Sequence, residues 1–579
     1  MIPEYIFSNM NKYGILFLPI LVTGLLDGCG RQSDQLHIVT TGDVHGQFFA
    51  TDLAGGEIRP SLEAVKYYTD SLRRQYGKNS VLLLDAGDIL QGDNTAYYFN
   101  YVDTVAEHIY PRIAGYMGYD AIVLGNHDIE TGHPVYDRVV TQLERRGIPV
   151  LAGNIVKADN GEAYFPYYTI IRKCGRRIAV LGFDNANIKG WLPEHLWSGL
   201  DFLSLTECVQ EKVDEVREKE SPDLVVVAVH SGTGKGDGTM LENQSLDLLH
   251  SLKGVDILVG AHDHTPYTAE HGGCIYVDGG AKANSVGHVT VDFTTGERQH
   301  EIARPDKKLR DRKMADIFSE EIRQVKAFTD TKAGELGMEL SADDALGGMC
   351  DYMNLLHTVQ LKETGASLSF AAPIGRGRLA EEGDVTANDL FRIYPYENQL
   401  FVMRLSGREI KDYLERSYGD WIDKDCREHL LGISEKADER TEDSGWSLSG
   451  RIYNFDSAAG LVYTVDINQP QGKRISIKSL ADGSSFRNDE YYTVAMTSYR
   501  ATGGGDLLAE GAGLTPDEMK SRIVSRHVEI RELLKRFFET HGKVTPETVY
   551  DAERMGCWKF MPEARAEELF TKDIELLSR

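Results

Sequence analysis

The chain has 579 residues, too many for one ordinary hydrophobic core of at most about 250–300 residues, so two sizeable bodies are expected. Its 41% hydrophobic and 26% charged residues exclude a disordered or membrane-embedded protein. With 63 Lys and Arg against 89 Asp and Glu, a net charge of −26 argues against a stable nucleic-acid partner, and any phosphate ligand must be met by local arginines or metals.

In chain order, Gly14 to Leu26 (GILFLPILVTGLL) is an apolar run too short to span a bilayer comfortably, and it ends at Gly28-Cys29. Leu26-Asp27-Gly28-Cys29 resembles a bacterial lipoprotein cleavage box whose cysteine is lipidated. Residues 1–29 are therefore expected to be a lipoprotein-type signal peptide, with a basic start at Met10-Asn11-Lys12. The product would be a periplasmic or outer-membrane lipoprotein of a bacterium, touching the membrane only through the lipid on Cys29. The other six cysteines form no CxxC pair and read as structural thiols.

From 36 to 303, short β-rich runs alternate with amphipathic helical stretches, the signature of an α/β domain. The strand candidates are LHIVTT, SVLLLDA, DAIVLG, RIAVLGF, DLVVVAVH and VDILVGA; PSLEAVKYYTDSLRRQYG and YDRVVTQLERRG have helical spacing. Residues 304–328 are charge-rich with helical periodicity and read as a connecting helix. A second body is expected over 329–540, with a helix near Asp343 to Lys362, strands QLFVMRLSG, LVYTVDI and YYTVAMTSY, and a helical stretch from Pro516 to Thr540. Residues 541–579 read as a peripheral helical tail.

The chemistry lies where the strands stop. HIVTTGDVH, LLLDAGD, IVLGNHD, VVVAVH and ILVGAHDH each place Asp, Asn or His just after an apolar run, and carboxyl ends of strands in an open α/β sheet share one crevice. The candidate ligands are Asp43, His45, Asp88, Asn126, His230, His262 and His264. Carboxylate, amide and imidazole without thiolate suit two divalent ions such as Zn, Mn or Fe. Asp88, alone at its strand end beside Gly87 and Gly92, is the candidate bridge.

GDVH, AGD, GNHD, VHSG and GAHDH, in this order, resemble the blocks of the calcineurin-like metallophosphoesterases. The resemblance implies a four-layered α/β sandwich followed by a smaller α+β domain. It also implies that Asp43, His45, Asp88 and His264 hold one metal, that Asp88, Asn126, His230 and His262 hold the other, and that His127 faces the phosphate. The acid that orients His127 is Asp128 or Glu130.

The second body resembles the C-terminal domain of exported bacterial 5′-nucleotidases and 2′,3′-cyclic-nucleotide 2′-phosphodiesterase/3′-nucleotidases, through PYEN, LFVMRLSG with REIKDYLE, YNFDSAAGLVYTVDINQP and TSYRATGGGD. By that resemblance Tyr396 and Tyr499 sandwich a base, Asn398 and Asp506 contact the nucleoside, and Arg376 or Arg378 lies near the phosphate or ribose. Nucleotides are the implied partners. No arginine falls between Arg323 and Arg376, where 5′-nucleotidases of the UDP-sugar-hydrolysing type carry a pair, so the expectation leans to cyclic and 3′-nucleotides. The alternatives are a broad 5′-nucleotidase and a non-catalytic nucleotide-binding lipoprotein.

Overall fold

The computed structural model describes residues 34–51, 58–437 and 444–578, so the expected signal peptide and Cys29 lie outside the described residues. Twelve strands build two sheets in the first body. They are β1 (Gln35–Thr41), β2 (Val81–Asp85), β3 (Ala121–Val123), β4 (Val150–Leu151), β5 (Tyr168–Lys173), β6 (Arg176–Phe183), β7 (Leu224–Val229), β8 (Ile257–Gly260), β9 (Tyr267–His271), β10 (Cys274–Asp278), β11 (Val286–Asp292) and β12 (Arg298–Ala303). One sheet runs β12-β11-β1-β2-β3-β4 and the other β9-β10-β8-β7-β6-β5. Within them β1 to β4 are parallel, as are β6, β7, β8 and β10, so their carboxyl ends align.

Side-chain alternation explains the layering. Leu36, Ile38, Leu82 and Leu84 share one buried cluster with Ile178, Val180, Val226, Ala228 and Val259, which places the two sheets face to face. The opposite face of the first sheet, through Val39, Val81 and Leu83, packs on helices α1 (Leu62–Tyr76), α2 (Ile109–Met117) and, beyond the short α3 (Asn126–Glu130), α4 (His133–Arg145). The opposite face of the second, through Leu181, Val225 and Val227, packs on α5 (Leu205–Glu220) via Val209, Val213 and Val216. Because β7 is buried on both faces, its sequence LVVVAV is continuously apolar rather than alternating.

The connecting segment forms two helices, α6 (Arg312–Ile317) and α7 (Ser319–Thr329); Met314, Phe318 at the junction, and Val325 are buried in the first body's outer core. The second body has helices α8 (Asp351–Thr364), α9 (Gly407–Trp421), α10 (Ile530–His541) and α11 (Glu563–Leu577). Its strands are β13 (Leu368–Ala371), β14 (Gln399–Ser406), β15 (Ser457–Ala459), β16 (Leu461–Asp466), β17 (Ile475–Leu480), β18 (Tyr491–Thr497), β19 (Ile523–Glu529) and β20 (Gly556–Met561). They form a mixed sheet β15-β13-β18-β14-β19 and a smaller one, β17-β16-β20.

Four segments differ from their sequence expectation. The single connecting helix expected over 304–328 is two shorter helices, α6 and α7, broken at Phe318, whose φ of −101° and ψ of 19° lie outside helical values. The helix expected from Asp343 begins at Asp351, because Gly347 and Gly348 separate it from a single tight turn at Asp344–Leu346. The expected helix Pro516–Thr540 is split by β19, whose IVSRHVE alternates half-buried and exposed positions along the edge of β14. The segment 541–579 is not peripheral: β20 pairs in parallel with β16, and Trp558, Phe560 and Leu569 join the second body's core. Among the described residues the six cysteines are free thiols, and no helix is long and apolar enough to cross a membrane.

Candidate metal centre and adjoining cleft

Seven side chains converge where β1, β2, β3, β7 and β8 end. Asp43, His45 and His264 form one group, and Asp88, His230 and His262 a second. Asn126 joins the second, its Oδ1 lying 3.1 Å from His230 Nε2 and 2.9 Å from His262 Nδ1. His45 Nε2 and His264 Nε2 stand 3.0 Å apart. All seven expected ligands are therefore brought together.

The loops that carry them are conformationally demanding. Asp43, His45, Asp88, His262 and His264 all have positive φ, from 50° to 87°. Non-glycine residues in this region cost on the order of 1–3 kcal/mol each and persist where function demands the geometry. Gly87 and Gly125 make the approach possible: a Cβ on Gly87 would lie 2.6 Å from Gly125 N, and one on Gly125 would lie 2.3 Å from Asp88 Oδ1.

The donor set fits divalent cations. Asp43 Oδ1 and Asp88 Oδ2 are buried and accept no hydrogen bond among the described residues. Yet His264 Nε2 lies 3.5 Å from Asp43 Oδ1, and His230 Nε2 lies 3.0 Å from Asp88 Oδ2. Neither pair forms a hydrogen bond, and such spacings are the edges expected around an ion bonded at about 2.0–2.2 Å. Outer contacts fix the imidazoles: Gln91 Oε1 and carbonyl oxygen hold His45 Nδ1 at 3.0 and 3.1 Å, and the Ala86 carbonyl holds His230 Nδ1 at 2.8 Å. Trp191 stacks on His262 at 5.3 Å between ring centroids. Burial opposes ionisation of Asp88, but His230 and His127 hold its carboxyl well below the usual range.

His127 opens the face toward substrate. Its Nδ1 lies 2.5 Å from Glu130 Oε2, and its backbone N–H donates to Asp88 Oδ1 at 2.8 Å. Burial disfavours the imidazolium, while Asp88 and Glu130 favour it and bring the pKa to about 9. Cations bound at Asp88 would weaken that first attraction. Asp128, the other candidate orienting acid, turns away: it accepts the backbone N–H groups of Asp88, Ile89, Leu90 and Gly125 at 2.9–3.0 Å and so splints the ligand loops.

From this centre a cavity of about 350 Å³ runs between the two bodies. Asp88, Asn126, His127, His262 and His264 line one part, and Tyr396, Asn398, Tyr453 and Tyr499 another. Tyr453, not singled out in the sequence, meets Tyr396 and Tyr499 edge-on with centroids at 6.3 and 6.1 Å. Arg451, Asp456 and Arg500 also line the cavity and were likewise missed, although YNFD and TSYRATGGGD contain or adjoin them. Arg376 pairs with Asp343, and Arg378 is exposed between Glu339 and Glu381 at 3.5 and 3.0 Å; neither lines the cavity. Asp506 is exposed outside the lining.

A buried ion pair holds the PYEN segment. Arg531 donates to Glu397 at 2.9 Å, and its guanidinium packs 4.0 Å from the Phe391 ring centroid and 5.1 Å from that of Tyr97 in the first body.

The calcineurin-like phosphoesterase family model matches residues 36–266, and that of the 5′-nucleotidase, C-terminal domain, matches 327–510. The chain is 21% identical, over 93% of its length, to a trifunctional nucleotide phosphoesterase protein of Bacillus subtilis, of which it spans 40%. It is 23% identical, over 88% of its length, to a 2′,3′-cyclic-nucleotide 2′-phosphodiesterase/3′-nucleotidase of Yersinia enterocolitica, of which it spans 87%. Among solved structures, a candidate 5′-nucleotidase from Staphylococcus aureus matches with a TM-score of 0.72 at 21% identity, covering 91% of this chain and 99% of that one, and shows a shared fold.

Proposed function

We propose, on the premise that this chain is a calcineurin-like phosphoesterase joined to a 5′-nucleotidase C-terminal domain, that it opens 2′,3′-cyclic nucleotides and then removes the 3′-phosphate. The observation that carries this reading is one cavity with Asp88, Asn126, His127 and His262 in one part and Tyr396, Tyr453 and Tyr499 in another, so a phosphoester and its base have places together.

In this reading Asp43, His45, Asp88 and His264 hold one divalent ion, and Asp88, Asn126, His230 and His262 the other. When bound, the pair supplies Lewis-acid charge that clamps phosphoryl oxygens and activates water. Tyr396 and Tyr499 hold the base by stacking, which tolerates any base. Asn398 faces the nucleoside. In the first step a water oxygen bonds to phosphorus as the P–O2′ bond breaks; in the second, the oxygen of another water bonds to phosphorus as the P–O3′ bond breaks, releasing phosphate. In each step His127 gives its proton to the departing oxygen, with Glu130 fixing the ring so that Nε2 is the delivering atom. Each step consumes one water, whose released proton restores the one His127 gave up, and no covalent enzyme intermediate is required.

The lack of arginine between Arg323 and Arg376 favours cyclic and 3′-phosphates over the 5′ class. The apolar Gly14–Leu26 run ending at Cys29 supports export and lipid anchoring of the mature chain. The test is phosphate release from 2′,3′-cAMP, 3′-AMP and 5′-AMP by the metal-loaded protein, with a supplementary phosphomonoesterase to reveal opened rings. The reading expects turnover of the first two to exceed that of 5′-AMP; a strong preference for 5′-AMP would assign the chain to the 5′-nucleotidase branch.

A further inference from the structure

Resting on the reading of this cavity as a nucleotide site, we propose that Arg451 is a specificity-determining residue whose guanidinium binds the substrate's phosphate and so separates nucleotides from nucleosides. Asp88, Glu130, Glu242, Asp263 and Asp456 all line the cavity, and a phosphate entering beside so many carboxylates needs a cation beyond those the metal ligands hold. Among the described residues only two lysines or arginines line it, Arg451 and Arg500.

Arg500 is already engaged. Its Nε and Nη2 lie 3.0 and 2.8 Å from the two carboxylate oxygens of Asp456, Nη2 also donates to the Tyr453 carbonyl at 3.0 Å, and Nη1 donates to the Gly504 carbonyl at 2.5 Å. It is 2% exposed, and this bidentate pair ties the 453–456 segment to the loop that carries Tyr499. A guanidinium so committed is a structural strut.

Arg451 is placed differently. It makes no ion pair with a carboxylate among the described residues, and its Nη1 donates to the Tyr453 hydroxyl at 2.8 Å. Burial works against its charge, while Tyr453, Tyr499 and Asp263 act in the opposite sense and hold its pKa above the ordinary arginine value. Asp263 stands between the ligand histidines His262 and His264, so the guanidinium lies in the field of the metal loop as well as beside the tyrosines. The Tyr453 hydroxyl aims one edge of the fork and leaves Nε and Nη2 for two phosphate oxygens, a geometry that the ammonium of lysine cannot reproduce.

The test uses the full metal-loaded chain and two variants, Arg451→Met and Arg451→Lys, whose exposed position leaves the core untouched. KM is measured for the nucleotide that the wild type turns over best, and Ki for adenosine as a competitive inhibitor. Loss of a charge-assisted contact predicts a KM for Arg451→Met raised about ten- to a hundredfold, partial rescue in Arg451→Lys, and an adenosine Ki changed by less than about twofold. An unchanged KM would overturn the proposal, and so would an adenosine Ki that rises in parallel, since that would make Arg451 a prop for Tyr453. A wild type that hydrolyses no nucleotide would instead refute the reading of the cavity on which the proposal rests.

Discussion

The division of labour between Glu130 and Asp128 can be separated by substitution, because the two carboxylates both follow His127 closely in sequence but face different ways. Glu130 Oε2 lies 2.5 Å from His127 Nδ1, whereas Asp128 accepts four backbone N–H groups of the ligand loops. General acid catalysis by a positioned imidazole contributes about 10²–10⁴ in rate, so His127→Ala should lower kcat by that range. Glu130→Gln removes a charge-assisted bond worth about 1.5–3 kcal/mol, or roughly ten- to a hundredfold in kcat. If Glu130 acts only through His127, the double variant should be no slower than His127→Ala alone. Asp128→Asn should act elsewhere, since opposing an amide to backbone donors leaves buried groups unpaired at about 1–3 kcal/mol each. Its effect should appear as a lower melting temperature and weaker metal retention. Rates from stopped phosphate release, metal content by mass spectrometry and thermal melts distinguish the cases. A Glu130→Gln enzyme with wild-type kcat, or additive losses in the double variant, would refute the positioning role.

Other consequences follow from the same contacts. Tyr396→Ala and Tyr499→Ala should each raise KM by the equivalent of about 1–3 kcal/mol for every nucleotide base alike, measured over purine and pyrimidine substrates; loss for one base only would contradict simple stacking. Arg531→Met leaves Glu397 buried without its partner at 2.9 Å and should destabilise the protein by about 3–5 kcal/mol in denaturant titrations. His37, 4% exposed, is held neutral by burial and then by His288, its pKa lowered to about 4. Because the folded pKa lies below the ordinary histidine value of 6.5, the stability due to neutral His37 is complete above pH 6.5 and is lost as pH falls toward 4. At about 1.4 kcal/mol per pH unit the loss is on the order of 3 kcal/mol, and His37→Leu should flatten the decline in melts taken between pH 7 and 4. An equally steep decline in that variant would remove His37 as its cause.

The candidate metal ligands, and their convergence, were legible in the sequence because each follows an apolar run directly, and parallel strands of a shared sheet must deliver their carboxyl ends to one edge. The orienting acid was not, since two acids follow His127 within three residues; only helical geometry decides, placing the i+3 residue Glu130 beside the imidazole and the i+1 residue Asp128 on another side. Tyr453, Arg451 and the Arg500–Asp456 pair come from segments about 45 residues apart, and their meeting depends on how β15, β18 and the following loops pack. The helical period in Pro516–Thr540 hid an edge strand because the short polar alternation of IVSRHVE is also compatible with an exposed helix. Likewise GCWKFM is strand-like only when its Trp558 and Phe560 find the core beside β16.

The central claim is that two divalent ions shared through Asp88 perform nucleotide phosphoester hydrolysis. It is tested most directly by measuring metal content and phosphate release together in the wild type and in Asp88→Asn. The account predicts two ions per wild-type chain, fewer in the variant, and a loss of hydrolysis that parallels the loss of metal while adenosine binding is retained. A variant that releases phosphate at the wild-type rate, or a wild type equally active after exhaustive chelation, would contradict it.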